Sequence, residues 1–225
     1  MRHMLHLVVI GLLALTGPAI AAGDPSTYRL VVLGDSLSAG FGLEDDEALP
    51  AALGRALAAR GLARVVVINA GVSGDTTAGG LARFDFSVGP DADGVIIALG
   101  ANDALQGQPP AQARANLAAM IERAKARGLD IVLAGMLAPV NMGAQYREEF
   151  DAIYPDLAEA EGVALYPFLL APVALHPEFL LRDGLHPTAP GVERMAEPLA
   201  DFVATALFDL PAPAPASNPV PGPTP

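Results

Sequence analysis

The sequence predicts a single α/β domain in which one parallel sheet is covered by helices on both faces. Strand-like and helix-like segments alternate along the chain, which is the pattern of doubly wound domains. The middle strand-like segments are almost continuously apolar, as expected for strands that are buried on both faces. The chain has 225 residues, of which 52% are hydrophobic, and this suffices for one well-buried core.

Five short apolar runs are the predicted strands. The second run contains Val-Val-Val-Ile and the third contains Val-Ile-Ile-Ala-Leu. We expect these strands to form a flavodoxin-like three-layer sandwich, with a five-stranded parallel sheet in the order 2-1-3-4-5. The predicted strands are residues 28–33, 65–69, 94–99, 130–135 and 162–165.

The segments between the predicted strands have helical patterns. Leu49, Leu53 and Leu57 recur at every fourth position, and Gly61 follows as a stop signal. A second helical pattern begins at Pro110, because proline is well tolerated in the first turn of a helix. Two further helices are predicted at residues 145–161 and 190–207.

Both ends of the chain are expected to lie outside the folded domain, which leaves residues 28–210. Residues 1–22 begin with a basic residue, continue through a short apolar stretch and end in small residues, as a secretory signal peptide does. A membrane anchor is the alternative, but a spanning helix needs about 20 apolar residues. We expect cleavage after Ala21 or Ala22 and a periplasmic or secreted protein. Residues 211–225 are rich in Pro and Ala and predict a disordered tail.

The composition excludes several kinds of site and partner. The chain contains no cysteine, which rules out disulfides, a thiolate nucleophile and cysteine-ligated metals. Its formal net charge of −12 repels nucleic acids and anionic lipid surfaces. We therefore expect no nucleic-acid partner, no stable membrane insertion after removal of the signal peptide, and a monomer by default.

Three unusual loops follow the first three predicted strands. In open α/β sheets, ligands bind outside the carboxyl ends of the strands, where the strand order reverses. In the expected order these loops meet at one edge of the sheet, which makes this edge the candidate site. The loops are residues 34–42, 70–77 and 100–109.

Ser36 is the candidate nucleophile, because it lies on a sharp turn between the first strand and a following helix. A serine hydroxyl needs a base, a group that orients the base and hydrogen-bond donors for the oxyanion. His186 is the candidate base: Asp183, three residues earlier, can reach Nδ1 and leave Nε2 free for Ser36. Asp35 is interpreted as a structural residue that accepts N–H bonds of the turn, and His176 as an ordinary surface or core residue.

The second and third loops contain candidate oxyanion donors. The backbone N–H of Gly74 and the side-chain amide of Asn102 could flank Ser36 from opposite sides. Taken alone, each glycine-containing segment is more often a simple turn than a functional loop. Asp75 and Asp103 are interpreted as helix caps or loop organisers.

Four separated blocks, taken together in their order and spacing, resemble the SGNH (GDSL) hydrolases. The flanking sequences LGDSLSAGFGL at residues 33–43 and SGDTTAGGLAR at residues 73–83, together with Ile153-Tyr154-Pro155, are similar to the periplasmic multifunctional thioesterase, lysophospholipase and arylesterase group. The four blocks are Gly-Asp-Ser-Leu at residues 34–37, residues 71–75, Gly-Ala-Asn-Asp at residues 100–103 and Asp-Gly-Leu-His-Pro at residues 183–187.

The resemblance implies roles for individual residues. Ser36 would be the nucleophile, His186 the base and Asp183 its orienting partner. The N–H groups of Ser36 and Gly74 and the amide of Asn102 would form the oxyanion hole. Members of the family need no metal or cofactor.

The same resemblance implies substrate contacts beside the third loop, at Ala104 and Leu105, and on an opposite wall at residues 137–143, including Pro139. One departure from the group is Ala101, where a second glycine is usual. If that position requires a positive φ angle, alanine would be strained there.

The expected function is that of an exported serine esterase acting on aryl or acyl esters, with thioesters and lysolipids as further compatible substrates. A carbohydrate O-acetylesterase is an alternative, which the absence of Trp and the 5% aromatic content make less favourable. A non-catalytic binding module on the same fold is a third interpretation, which the presence of every required residue type disfavours. The chain lacks Gly-x-Ser-x-Gly, so the α/β-hydrolase nucleophile elbow is not its template.

Overall fold

The computed structural model describes residues 27–211, and the predicted fold class is confirmed there. Five parallel strands form one sheet in the order β2-β1-β3-β4-β5. The predicted signal peptide, and the predicted tail beyond Pro211, lie outside the described residues. The strands are β1 Tyr28–Gly34, β2 Val65–Gly71, β3 Gly94–Ala98, β4 Asp130–Ala134 and β5 Ala164–Tyr166.

Helices cover both faces of the sheet. Helices α2 and α9 pack together, whereas α6 packs with α3 and α8, and the three layers enclose one hydrophobic core. No helix among the described residues combines the length and apolar character that a membrane crossing requires. The helices are α1 Ser36–Ala39, α2 Leu49–Ala59, α3 Thr77–Ala82, α4 Phe84–Ser87, α5 Ala101–Leu105, α6 Pro110–Ala126, α7 Ala144–Asp151, α8 Ile153–Glu161 and α9 Ala189–Phe208.

Most predicted bounds differ from the observed ones by one or two residues at an end, and two elements differ for an identifiable physical reason. The single helix predicted at residues 145–161 is divided into α7 and α8, because Pro155 has no N–H to donate to the carbonyl four residues earlier. The fifth strand begins at Ala164 rather than at residue 162. Gly162 ends α8 in the left-handed conformation, with a φ angle of 62°, and extended pairing starts only after this turn.

The central strands place the candidate site. Every residue of β3 is buried, and β1 is buried from Leu30 to its end. At the carboxyl end of β1, Gly34 is paired with Gly71 of β2 on one side and with Ala98 of β3 on the other. The loops that follow these three strands therefore leave the sheet beside one another.

Candidate active site

Ser36 is the first residue of α1 and follows β1 after a single residue, Asp35. The Asp35 carboxylate caps the helix by accepting a hydrogen bond of 3.0 Å from the Leu37 N–H, which confirms its predicted structural role. Asp35 is fully buried. Burial raises the pKa of this carboxyl to about 6, although the bond from Leu37 acts in the opposite direction.

His186 joins Ser36 to Asp183 through its two ring nitrogens. Its Nε2 atom lies 2.8 Å from Ser36 Oγ, and its Nδ1 atom lies 2.7 Å from Asp183 Oδ2. The structure thus brings together three residues that the sequence placed at opposite ends of the domain. A hydroxyl, an imidazole and a carboxylate in this order can move a proton from the hydroxyl to the imidazole.

Asp183 is held in place by the backbone of its own loop. Its Oδ1 atom accepts hydrogen bonds from the N–H groups of Leu185 at 2.9 Å and His186 at 3.0 Å. These backbone bonds, followed by the bond with the His186 side chain, lower the pKa of Asp183 to about 2. Asp183 is therefore ionised at neutral pH and can support a positive charge on the imidazole.

Phe41 packs against the imidazole of His186, with ring centroids 4.4 Å apart. The Phe41 side chain is partly exposed beside the site. This packing was not predicted from the sequence. The only sequence signal was an aromatic residue in the loop after the candidate nucleophile, and that signal does not say which side chain it meets.

Asn102 lies at the start of α5 and faces the loop that follows β2. Its Nδ2 group donates to the backbone carbonyl of Asp75 at 2.9 Å and lies 3.4 Å from Asp35 Oδ2. The first bond is well formed, whereas the second is long. The amide is thus held mainly by the Asp75 carbonyl, and its contact with Asp35 is weak.

The condition under which Ala101 would be strained, a positive φ angle at its position, is not met. The positive φ angle at the start of this loop, 120°, belongs to Gly100, and Ala101 is the first residue of α5. Among non-glycine residues of the described chain, only Asp209 has a positive φ angle. Because glycine is retained at the position that needs it, alanine at the next position is compatible with the loop.

Gly74 is the less constrained of the two predicted donors. It has a φ angle of 83°, and a side chain added there would meet no atom within 4 Å. No hydrogen bond within residues 27–211 engages its N–H. Its N–H is therefore an uncommitted donor, although Gly74 itself does not line the cleft beside Ser36.

Asp75 and Asp103 organise the two loops, as predicted. The buried carboxylate of Asp103 accepts from the Thr77 N–H at 2.8 Å and from the Thr77 hydroxyl at 2.6 Å. Asp75 forms an ion pair of 2.6 Å with Arg83. The loops after β2 and β3 are thereby tied to each other and to the helix that follows them.

An apolar cleft of about 130 Å³ opens beside Ser36, His186 and Asn102. The predicted contacts Leu105 and Pro139 line it, but Ala104 is fully buried and does not, because its side chain faces the core. Leu170 and Leu185 also line the cleft and were not predicted. The leucines and proline of the lining are Leu37, Leu105, Leu137, Pro139, Leu170 and Leu185.

No group of three or more His, Asp or Glu residues within residues 27–211 is arranged to hold a metal ion. His176 pairs instead with the exposed Glu178 at 3.2 Å. It makes a surface hydrogen bond, as expected for an ordinary histidine.

Comparison with known proteins gives consistent matches. The model of the GDSL-like Lipase/Acylhydrolase family matches residues 32–194. An arylesterase of Vibrio mimicus is 42% identical over 190 residues, which are 84% of this chain and 92% of that protein. Thioesterase 1/protease 1/lysophospholipase L1 of Escherichia coli (strain K12) is 37% identical over 207 residues, which are 91% of this chain and 93% of that protein.

A solved structure agrees with these matches. The crystal structure of AlinE4, described as an SGNH-hydrolase family esterase, is 45% identical in sequence and superposes with a TM-score of 0.68. The match covers 83% of this chain and 99% of that one.

Proposed function

The chain belongs to the GDSL-like lipase/acylhydrolase family and is a hydrolase that acts on ester bonds; from this premise we propose that it is an exported serine esterase for aryl and acyl esters. The observation that carries the proposal is the chain of hydrogen bonds from Ser36 Oγ through the His186 ring to Asp183. It supplies a nucleophile, a base and a group that orients the base.

In the proposed reaction, Ser36 Oγ attacks the acyl carbonyl carbon while His186 Nε2 takes the hydroxyl proton. The negative charge on the carbonyl oxygen is stabilised by the N–H groups of Ser36 and Gly74 and by the Asn102 amide. The intermediate collapses as His186 gives the proton to the departing alcohol, phenol or thiol. An acyl-enzyme on Ser36 remains.

Water then completes the cycle. His186 removes a proton from a water molecule, which attacks the acyl carbon, and the bond to Ser36 Oγ breaks with return of the proton to Ser36. The carboxylic acid is released. Asp183 holds Nδ1–H throughout, so that Nε2 is always the nitrogen that faces Ser36.

The cleft supports an apolar acyl group as the substrate part bound beside Ser36. Leu105, Leu137 and Pro139 present aliphatic surface there, and each buried methylene of an acyl chain contributes about 0.8 kcal/mol to binding. Oxygen esters and thioesters present the same carbonyl to Ser36. Thioesterase and lysophospholipase activities are therefore part of the proposal. The protein is also proposed to act as a monomer.

The test uses two serines that are close in sequence but differ in environment. Ser36→Ala should lower kcat for p-nitrophenyl esters by about 10⁴-fold or more. Ser38→Ala is the matched control, because the Ser38 hydroxyl is buried without a hydrogen-bond partner among the described residues, and it should retain activity. A fluorophosphonate probe should label Ser36 in the wild-type protein. Equal hydrolysis by Ser36→Ala and wild type would refute the mechanism.

Export is proposed from the composition of residues 1–22. Expression of the full chain in a bacterial host should yield a processed protein outside the cytoplasm. Its amino terminus should be Ala22 or Gly23, measured by intact mass. A cytoplasmic protein that retains Met1 would contradict this part of the proposal.

A further inference from the structure

Arg83 follows helix α3 and directs its guanidinium group towards the carboxyl ends of two neighbouring strands. Its Nη2 atom donates to the carbonyl of Gly34 at 2.9 Å, and Nη1 donates to the carbonyl of Ala70 at 2.8 Å. Its Nε atom donates to the carboxylate of Asp75 at 2.6 Å. One planar group therefore connects the end of β1, the end of β2 and the loop that follows β2.

Each of the three proposed oxyanion donors is connected to a group that this guanidinium binds, either through the backbone or through one hydrogen bond. Ser36 lies two residues after Gly34. Gly74 directly precedes Asp75. The backbone carbonyl of Asp75 accepts the 2.9 Å bond from the Asn102 amide.

The environment favours a fixed arrangement. The side chains of Arg83 and Asp75 are only 18% and 16% exposed, so solvent competes little for their charges. Guanidinium presents several donors in a rigid plane, whereas the lysine ammonium is a single point on a flexible stem. Only arginine can meet acceptors on three segments at the same time.

We infer that Arg83 is a positioning residue that sets the relative placement of the three oxyanion donors, Ser36 N–H, Gly74 N–H and Asn102 Nδ2. The inference rests on the proposed function, because it assigns those donors their role. Arg83 itself touches no reacting atom. It holds the donors in place before the negative charge develops, so that they need no reorganisation at the moment of reaction.

The test compares Arg83→Ala with Arg127→Ala. Arg127 is a matched control, because its guanidinium also donates to two backbone carbonyls, those of Val88 and Gly89 at 2.8 Å and 2.5 Å, but neither residue lies at the cleft. Arg83→Ala should lower kcat for p-nitrophenyl butyrate by about 100-fold, the loss expected for a displacement of about 1 Å. KM should change by less than about threefold, since the acyl cleft is untouched.

Rescue separates positioning from general stability. Millimolar guanidinium ion should restore part of the kcat of Arg83→Ala and should not raise that of Arg127→Ala. Arg83→Lys should remain impaired although its charge is kept. If Arg83→Ala does not fold, Arg83→Lys is measured in its place and the same fall in kcat is expected.

Two results would overturn the inference. The first is a kcat within about twofold of wild type in a folded Arg83 variant. The second is a loss of kcat equal to that of Arg127→Ala, which would indicate a stability effect. Ser36→Ala keeps this outcome distinct from failure of the proposed function: if Ser36→Ala is inactive while Arg83→Ala is normal, only the role of Arg83 is rejected.

Discussion

His186 Nε2 lies 2.8 Å from Ser36 Oγ although the two residues are 150 positions apart in the chain. The loop before α9 makes this contact possible. The Leu181 N–H donates to the His186 carbonyl at 2.7 Å, and the Thr188 N–H donates to the Phe179 carbonyl at 2.8 Å. The imidazole is thus carried on a loop with its own backbone hydrogen bonds, which limits its movement relative to Ser36.

The first prediction concerns the tautomer of His186. Asp183→Asn should lower kcat by about 10³- to 10⁴-fold with little change in KM, because the amide Nδ2–H would face Nδ1 and place the ring proton on Nε2. Steady-state kinetics with p-nitrophenyl butyrate measure the effect. Glu178→Gln, which alters the exposed pair with His176, is the control and should retain full activity. A tenfold or smaller loss in Asp183→Asn would contradict the assigned role.

The second prediction concerns the buried carboxyl of Asp35. Its pKa is about 6 in the folded protein, against an ordinary value of 3.8, so between about pH 4 and pH 6 the folded state binds the proton more tightly than the unfolded state. The free energy of unfolding should therefore fall as the pH rises through this interval, by up to about 3 kcal/mol from this group.

Asp35→Asn isolates that contribution. Urea denaturation of both proteins from pH 4 to pH 7 gives the difference between their free energies of unfolding. The wild-type value should decrease relative to the variant as the pH rises and should level off above about pH 6. A difference that does not vary with pH would show that the burial of Asp35 does not perturb its titration.

The third prediction separates two neighbouring residues of the loop after β3. Gly100→Ala should destabilise the protein by about 1–3 kcal/mol, because the φ angle is 120° and the added methyl group would collide with the Tyr154 hydroxyl. Ala101→Gly should cost no more than about 1 kcal/mol. Thermal unfolding measures both. A larger loss of stability in Ala101→Gly than in Gly100→Ala would show that Gly100 is not the strained position.

The fourth prediction concerns acyl selectivity. Leu105→Ala should reduce the preference for p-nitrophenyl hexanoate over acetate, measured as the ratio of kcat/KM values, by about fourfold for each acyl methylene that is no longer buried against the side chain. Leu175→Ala is the control, since Leu175 is 89% exposed and does not line the cleft. An unchanged ratio in Leu105→Ala would mean that the acyl chain binds elsewhere.

Much of the fold could be predicted because its signals are local. The apolar run at Val65 and the four-residue spacing of Leu49, Leu53 and Leu57 each report on their own segment. The break between α7 and α8 also had a local cause, Pro155, but a single helix was predicted across it. The short helices α3, α4 and α5 escaped prediction because a helix of one or two turns leaves too few periodic positions.

By itself, the sequence determined the fold class and the candidate residues Ser36, Asp183, His186 and Asn102, because strand periodicity and short motifs can be recognised from neighbouring positions. The strand order was expected only from the flavodoxin-like arrangement, and the structure confirms it. Only the tertiary structure decided which distant groups meet: the Phe41 ring on His186, the Arg83 guanidinium on three segments, and the burial of Ala104 away from the cleft. Such contacts depend on how whole layers pack, and local spacing contains no information about the side chain that arrives from another layer.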